Sequence, residues 1–330
     1  MESALTRGAE IVVRDWMTVR DGESVLILTD SRHLEEIKEI ERLAVLRGAS
    51  VLIHLIPDDS TQNPQANIDE IAALMQGRQV IIGATHFSLA TNEIVQQAVK
   101  NGSRFLSLPM STNDGRSLLE YEFMTMDTDK SRFMAKMLLR YINDATHLRV
   151  TTKAGTDLSF RKAGRQGSYF NGRAKDNKGF ASSSFEVYVP IEEDRTDGAG
   201  VLDGSLGYIG KVNKAFNIRM EAGKLVYIED CEDGNRLKEY MESFKDERIY
   251  YAGEFGIGLN TYAKCEGNSY IEDESSYGTF HIGFGRNIAL GGKYEANGHF
   301  DIVFFEPSIY ADNRLIIDKG IIIVPEPEVW

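Results

Sequence analysis

The consecutive segments ESVLILTD (23–30), SRHLEEIKEIERLAVLRG (31–48) and VLIHLI (51–56) decide the first part of the fold. A short apolar run ends at a turn-prone Asp30, and Leu, Ile and Ala then recur at helical spacing before a second apolar run. Short apolar strands separated by a helix are typical of parallel strands whose two faces are both covered. This stretch therefore predicts a strand–helix–strand unit of an α/β domain.

The same alternation continues to about residue 146. Further helix and strand segments follow in the order NIDEIAALMQ (67–76), QVIIGAT (79–85), ATNEIVQQAVKNG (90–102), RFLSLPM (104–110) and DKSRFMAKMLLRYINDA (129–145). No G-x-G-x-x-G or Walker-type loop follows the first strand, so the dinucleotide and P-loop interpretations lose their main support. We expect residues 1–146 to form an N-terminal α/β domain with a parallel sheet.

From residue 147 onwards the pattern changes to short strands and turns. Segments such as FEVYVP (185–190), GTFHIGFG (278–285) and HFDIVFFEP (299–307) alternate or run apolar between Gly, Asp and Asn, and one helical segment, NRLKEYMESFKD (235–246), interrupts them. We expect residues 147–330 to form a mainly antiparallel, β-rich domain. The predicted fold class is therefore α/β followed by α+β.

The stretch GTFHIGFGRNIALGGKYEANGHFDIV (278–303) resembles a site more than any other part of the chain. It contains His281 and the triplet His299-Phe300-Asp301, in which residues 299 and 301 of a strand point to the same face. An imidazole beside a carboxylate suits zinc, manganese or iron, whereas the alternative is a surface His–Asp hydrogen bond. Apolar residues follow the triplet and favour a buried strand, where Asp301 needs a partner such as His281 or a metal ion.

Two lone acids occur upstream in similar apolar surroundings. Glu254 lies in YYAGEFGIGLN (250–260), and Glu186 lies in SSSFEVYVP (182–190). For each acid there are two alternatives: the segment is wrongly predicted to be buried, or the carboxylate is bound to a partner. Together the two Glu, two His and one Asp are enough ligands for one metal ion or a pair.

Composition limits the class of protein. The chain has 330 residues and 42% hydrophobic content, enough for two domains with substantial cores. The net charge of −13 argues against a nucleic-acid or anionic-membrane partner. No apolar run approaches the roughly 20 residues of a membrane span, and MESALTRGAEIVVRDW lacks the apolar core of a signal peptide. Two cysteines without a C-x-x-C motif argue against a zinc finger. We expect a soluble, cytoplasmic protein.

The order of the motifs T-D-L-S-F, F-E-V-Y-V-P, G-E-F-G-I-G-L-N, G-T-F-H-I-G-F-G and G-H-F-D-I-V resembles the aminopeptidase T (thermophilic leucyl aminopeptidase) family of metallopeptidases over most of the chain. This resemblance implies a metal-dependent hydrolase that cleaves an N-terminal residue or a small amide with metal-activated water. It implies two divalent ions per chain (Zn, Mn or Co), a homodimer, and a small-molecule or short-peptide substrate. The metal ligands that it implies are Glu186 (also the general base), Glu254, His281, His299 and Asp301.

Three departures from that family concern the site. The acid that the family has shortly before the first histidine is displaced here, with Glu274 the nearest. The family's catalytic tyrosine, seven residues after that histidine, corresponds to Ile288, so Tyr294 is the candidate replacement. The loop between His281 and His299 is shorter than in typical peptidases, which implies a different substrate pocket.

The chain also resembles a sister group, the 2,5-dihydroxypyridine ring-opening dioxygenases, which use one non-haem iron. The phrases G-I-G-L-N and N-x-x-L-G-G before H-x-D carry this resemblance. That group has histidine at the position of Glu254 and lacks His281, so the carboxylate set here favours hydrolysis. The alternatives are an Fe(II) dioxygenase that uses His281, His299 and Asp301 as a 2-His-1-carboxylate site, and a family fold used for binding alone.

Two residues outside this set each allow a functional and a structural interpretation. His86, in GATHFSLAT, lies at the C-terminal end of a predicted parallel strand, the edge where open α/β sheets bind ligands. The alternative for His86 is a helix-entry turn capped by Thr85 and Ser88. Arg286 could hold a substrate carboxylate, or it could be a surface turn residue.

Overall fold

A computed structural model describes residues 3–57 and 67–325 of the chain. The helices, in chain order, are α1 (Ala4–Glu10), α2 (Leu34–Leu46), α3 (Ile68–Met75), α4 (Glu93–Lys100), α5 (Thr128–Asp144), α6 (Glu232–Ser243) and α7 (Tyr270–Ser275). Short 3-10 turns include Gly207–Ile209 and Ile288–Leu290, and a π-helical segment, Ile11–Trp16, continues α1.

The strands, in the same order, are β1 (Ser24–Thr29), β2 (Ser50–Leu55), β3 (Val80–Ala84), β4 (Arg104–Ser107), β5 (His147–Thr151), β6 (Asp157–Arg161), β7 (Ser168–Asn171), β8 (Phe180–Ser182), β9 (Phe185–Pro190), β10 (Thr196–Leu202), β11 (Phe216–Glu221), β12 (Lys224–Ile228), β13 (Ala252–Gly258), β14 (Thr279–Gly285), β15 (His299–Phe305), β16 (Ser308–Ala311), β17 (Arg314–Asp318) and β18 (Ile321–Ile322).

The first strands form a parallel sheet in the order β2-β1-β3-β4-β8. The apolar strand residues Leu26 and Ile81 pack with Ile71 of α3 and Val95 of α4 in one core. Strand β8 joins this sheet from much later in the chain, since Phe180 pairs with Phe105 of β4. Local periodicity predicts the first four strands, but it contains no information about such a distant partner.

Two antiparallel sheets follow, in the orders β12-β11-β10-β6-β5-β16-β17-β18 and β15-β14-β13-β9-β7. The paired strands in them run antiparallel, for example β13 with both β14 and β9. The mixed arrangement confirms the prediction of a parallel α/β part followed by a β-rich part. No helix among the residues described is both long and apolar enough to cross a membrane.

The described residues form two compact units, one within 1–128 and 170–184 and the other within 129–169 and 185–330. Helix α5 belongs to the second unit, because its buried residues Ala135, Leu138 and Ile142 pack in that unit's core. A single boundary after residue 146, as predicted, would separate this apolar helix face from the residues it packs against.

The sheet β15-β14-β13-β9-β7 has two different faces. One face is apolar, and its aromatic rings stack in the core, with the centroids of Phe280 and Phe304 4.6 Å apart and those of Phe284 and Phe300 5.7 Å apart. Each such ring, fully buried, contributes roughly 1.5–3 kcal/mol to stability. Since strand residues alternate, the opposite face presents the intervening positions, among them His281, His299 and Asp301.

Candidate metal centre

Four adjacent strands of this sheet bring together the five ligands predicted from the sequence. Glu186 lies on β9, Glu254 on β13, His281 on β14, and His299 with Asp301 on β15. All five side chains are at least nine-tenths buried. The sheet order β15-β14-β13-β9 therefore gathers residues that are more than a hundred positions apart in the chain.

A glycine lies opposite each of these side chains on a neighbouring strand. A Cβ at Gly256 would lie 1.8 Å from His281 Nε2, and a Cβ at Gly283 would lie 2.7 Å from Asp301 Oδ1. The glycines therefore leave the space in which the ligand atoms converge. The pairs are Glu186 with Gly258, His281 with Gly256, Glu254 and Asp301 with Gly283, and His299 with Gly285.

The ligands form two groups of three that share one carboxylate. The atoms of Glu186, Glu254 and His281 lie within 4.8 Å of one another, and so do those of Glu254, His299 and Asp301. His281 and His299 thus fall into different groups, which differs from the 2-His-1-carboxylate set considered from the sequence. We call these groups the Glu186 triad and the Asp301 triad.

The imidazole of His299 is held in the orientation that a ligand needs. Its Nδ1 lies 2.9 Å from the backbone oxygen of Arg286, which can only accept, so Nδ1 carries the proton. The other nitrogen, Nε2, then faces Glu254 Oε2 at 3.3 Å and Asp301 Oδ1 at 3.5 Å. A hydrogen bond from the distal ring nitrogen to a carbonyl is the usual support of a metal-bound histidine.

In the Glu186 triad, His281 Nε2 lies 2.8 Å from Glu186 Oε2. Only 1% of His281 is exposed. An ion pair of this kind, removed from water, is stable only when its remaining polar atoms are also satisfied.

Asp301 provides the test of whether a metal ion fits. Its Oδ2 accepts a hydrogen bond from the Tyr270 hydroxyl, whereas its Oδ1 is buried and accepts no hydrogen bond from the residues described. A buried acceptor without a partner costs about 1–3 kcal/mol. A cation among the Asp301 triad would satisfy that oxygen, so the residues present fit a divalent metal.

The electrostatics of the site also favour a cation. Burial raises the pKa of Glu254 to about 7, and the charges of Glu186 and Asp301 add to this effect. Burial alone would lower the pKa of both imidazoles, but Glu186 raises that of His281 to about 9. Asp301 and Glu254 raise the pKa of His299 to about 10. In the metal-free protein, bound protons therefore neutralise charge that metal ions would otherwise neutralise.

Helix α7 contains two site residues whose place the sequence did not predict. All six of its residues are buried, including Tyr270 and Glu274. Burial raises the pKa of Glu274 well above its usual value, and the charges of Glu186 and Asp301 raise it further. The displaced acid noted in the sequence thus lies beside the ligands. Tyr270 had one available signal, an aromatic residue two positions before the acidic run Glu272-Asp273-Glu274.

The contacts of Tyr294 are with residues other than the five proposed ligands. Its ring meets that of Tyr251 at 5.5 Å, and its backbone N–H donates to Asn287. The ionisable groups that act on its hydroxyl are Tyr251, Glu193, Asp194 and Arg248, none of them a predicted ligand.

Arg286 and His86 also have defined surroundings. Arg286 is only 4% exposed, so it is not a surface turn residue, and burial lowers its pKa to about 10. His86 lies in the first unit, where its Nδ1 is 3.3 Å from His33 Nε2 and its Nε2 is 3.2 Å from Ser111 Oγ. Residue 86 thus takes part in a hydrogen-bonded chain at the carboxyl ends of β3 and β4.

Comparison with known proteins supports one of the two families considered. The family model described as NicX, 2,5-dihydroxypyridine 5,6-dioxygenase, matches residues 14–324. A curated protein of Pseudomonas putida KT2440, named 2,5-dihydroxypyridine 5,6-dioxygenase, is 25% identical over 250 residues, which cover 70% of this chain and 67% of that protein.

Two solved structures share the fold. The 2,5-dihydroxypyridine dioxygenase of Pseudomonas putida KT2440 superposes with a TM-score of 0.82 at 19% identity, covering 99% of both chains. AmpT from Thermus thermophilus superposes with a TM-score of 0.65 at 15% identity, covering 97% of this chain and 99% of that one.

These matches correct the expected activity. The prediction of an aminopeptidase-T-type hydrolase, and with it the description as an aminopeptidase and metalloprotease, is wrong, because the family model and the curated relative are dioxygenases. The error has a physical cause, since carboxylate and imidazole ligands suit hydrolytic zinc and oxygen-activating iron alike. The likeness to AmpT shows the fold alone. Because the family model covers nearly the whole sequence, the chain belongs to the NicX family, described as 2,5-dihydroxypyridine 5,6-dioxygenase.

Proposed function

We propose that the protein is an Fe(II)-dependent dioxygenase that opens the ring of a dihydroxypyridine-like substrate. Membership of the NicX family supports the reaction class. The observation that carries the proposal is the buried Asp301 triad, in which Asp301 Oδ1 accepts no hydrogen bond from the described residues and His299 Nε2 faces it. Iron, when bound, supplies the redox chemistry that couples molecular oxygen to an electron-rich ring.

We assign the iron to Glu254, His299 and Asp301. His299 supports this assignment because its proton is held on Nδ1 by the Arg286 carbonyl. The Glu186 triad would offer a second divalent-metal position, and Glu254 belongs to both groups of ligand atoms. Three of the five proposed ligands, Glu186, Glu254 and Asp301, are buried carboxylates, and their combined charge when ionised exceeds that of one divalent ion.

The remaining groups of the chain orient the site and handle protons. When the Glu186 triad holds no metal ion, the Glu186 carboxylate, whose Oε2 lies 2.8 Å from His281 Nε2, can accept a proton from a substrate hydroxyl group, the usual task of a general base. Burial of all five ligands limits the access of water and strengthens every charge interaction among them. A small aromatic substrate with ionisable hydroxyl groups suits these features. A homodimer remains an expectation from the family resemblance.

Oxygen consumption tests the reaction class. The metal-stripped protein is reloaded separately with Fe(II), Zn or Mn, and oxygen uptake and ring absorbance are followed with 2,5-dihydroxypyridine. We expect uptake of one O2 per ring opened, with Fe(II) only. Release of amine from an aminoacyl amide without oxygen uptake would contradict the proposal, as would ring opening by the zinc-loaded protein in the absence of iron.

A double variant tests the location of the metal. His299→Ala with Asp301→Ala should lose bound iron after dialysis and should lose oxygen uptake. His147→Ala, at a side chain that is 62% exposed, is the control for loss of a histidine elsewhere. Full iron content in the double variant would place the metal outside the Asp301 triad.

A further inference from the structure

Helix α7 covers the ligand-bearing face of the sheet. It contacts β9, β13, β14 and β15, the four strands that carry the proposed metal ligands. Tyr270, its first residue, is 6% exposed, and its hydroxyl group donates a hydrogen bond to Asp301 Oδ2. Hydrogen bonds from a hydroxyl to a carboxylate are among the stronger ones in proteins, particularly away from water.

A neighbouring turn holds the Tyr270 ring in place. The ring of Tyr208, in the turn Gly207–Ile209, stacks on that of Tyr270 with centroids 4.2 Å apart and planes 18° apart. Gly207 has φ +53°, and a Cβ there would lie 2.9 Å from the backbone oxygen of Asp301 and 3.6 Å from Tyr270 Cδ2. The turn therefore packs closely against both the ligand strand and the tyrosine ring.

This packing gives the two oxygens of Asp301 different surroundings. Oδ2 receives the Tyr270 hydroxyl, while Oδ1 lies 3.5 Å from His299 Nε2 and accepts no hydrogen bond from the part of the chain that is described. A carboxylate that is free to rotate can bind a metal through both oxygens. A carboxylate with one oxygen already engaged offers only the other.

We propose that Tyr270 is a positioning residue that restricts Asp301 to one metal-binding oxygen, Oδ1. The inference rests on the proposed metal centre. It adds that the Tyr270 hydroxyl decides whether Asp301 binds the metal through one oxygen or through both. A metal ion held through a single oxygen of Asp301 would keep one more coordination position for substrate or oxygen. Tyr270 acts through Asp301, and Tyr208 acts in turn by fixing the orientation of the Tyr270 ring.

The variant Tyr270→Phe removes the hydroxyl and keeps the ring that stacks on Tyr208. Cobalt(II) is the probe, because its visible absorption weakens as its coordination number rises. We expect Tyr270→Phe to bind cobalt about 10- to 100-fold more weakly in competition with a chelator, the range for losing a group that supports a metal ligand. We also expect weaker visible absorption of the bound ion, since Asp301 can now chelate through both oxygens.

Tyr121→Phe is the matched control. Tyr121 is also buried and also donates its hydroxyl to a carboxylate, Asp114 at 2.7 Å, but it belongs to the other unit. Its removal should leave both the cobalt affinity and the spectrum unchanged. If Tyr270→Phe does not fold, Tyr208→Leu keeps the phenol while removing the stack, and we expect the same spectral change in weaker form.

The outcomes separate the two proposals. A wild-type protein that binds no cobalt overturns the metal centre itself. Wild-type and Tyr270→Phe proteins with equal affinity and identical spectra overturn the role of Tyr270 and leave the metal centre standing. A loss of affinity in Tyr270→Phe with an unchanged spectrum also overturns the positioning role, because it shows a structural effect without a change in coordination.

Discussion

Gly283→Ala should block the metal centre while adding only one methyl group. Gly283 lies on β14 between two of the proposed ligands, because it pairs with Glu254 of β13 on one side and with Asp301 of β15 on the other. Both neighbouring strands are hydrogen-bonded to β14, so they cannot separate without losing ladder hydrogen bonds. The side chains themselves must therefore move.

The structure gives the size of that movement. The added Cβ would lie 2.7 Å from Asp301 Oδ1 and 2.8 Å from both Glu254 Cβ and Glu254 Oε2, whereas an ordinary contact begins at 3.4 Å. The Asp301 oxygen must shift by about 0.7 Å, well beyond the tolerance of about 0.2 Å in a metal–ligand distance. We expect metal affinity to fall by about 100-fold or more, the upper end of the effect of disturbing a ligand's support.

The metal-free protein should suffer less. Adding a methyl group to a well-packed interior typically costs about 1–3 kcal/mol, and here flexible carboxylates absorb part of the clash. The assay is chelator competition for zinc or cobalt, together with thermal unfolding of the metal-free proteins. Gly164→Ala is the control, because nothing lies within 4 Å of a Cβ there. Metal affinity of Gly283→Ala within threefold of wild type would refute the reasoning.

Two further predictions concern pH and the core. In the folded metal-free protein the pKa values of His281 and His299 are about 9 and about 10, above the usual 6.5. The two protonated imidazoles therefore stabilise the folded state fully below pH 6.5, and this stabilisation is lost as the pH rises through 9–10. The melting temperature of the chelator-treated protein should therefore fall over this range, while the metal-loaded protein should change less; a rise in the chelated sample would contradict the assignment. Lys162, fully buried, donates to the Arg165 carbonyl at 2.8 Å, and Lys162→Met should destabilise the protein by about 1–3 kcal/mol in denaturant titration without changing metal content. Exposed Lys153→Met is its control, and equal stability of the two variants would show that the buried amine contributes nothing.

The reaction class was the part of the function that the sequence did not determine. The motifs around His281 and His299 led to two families, one of which the family model shows, and to a set of proposed ligands that the structure brings together. The choice between hydrolysis and ring opening went the wrong way, because it relied on Glu254 and the other carboxylates. Ligand type alone does not distinguish a metal that activates water from one that activates oxygen.

Local patterns in the sequence determined the elements. Periodicity of apolar residues is a short-range property, so it predicts where β1 to β4 and their helices lie. Alternation along one strand likewise places His299 and Asp301 on one face. The glycines at 256 and 283 were visible in the sequence, but their partners across the sheet were not.

Only the tertiary structure decided how these pieces meet. Strand register brings Glu186, Glu254 and His281 together although 68 and 27 residues separate them in the chain. The sharing of Glu254 between two triads and the hydrogen bond from Tyr270 to Asp301 depend on the same register and on the packing of α7. Such contacts arise from long-range packing between segments, and a local pattern carries no information about which distant segment will be its neighbour.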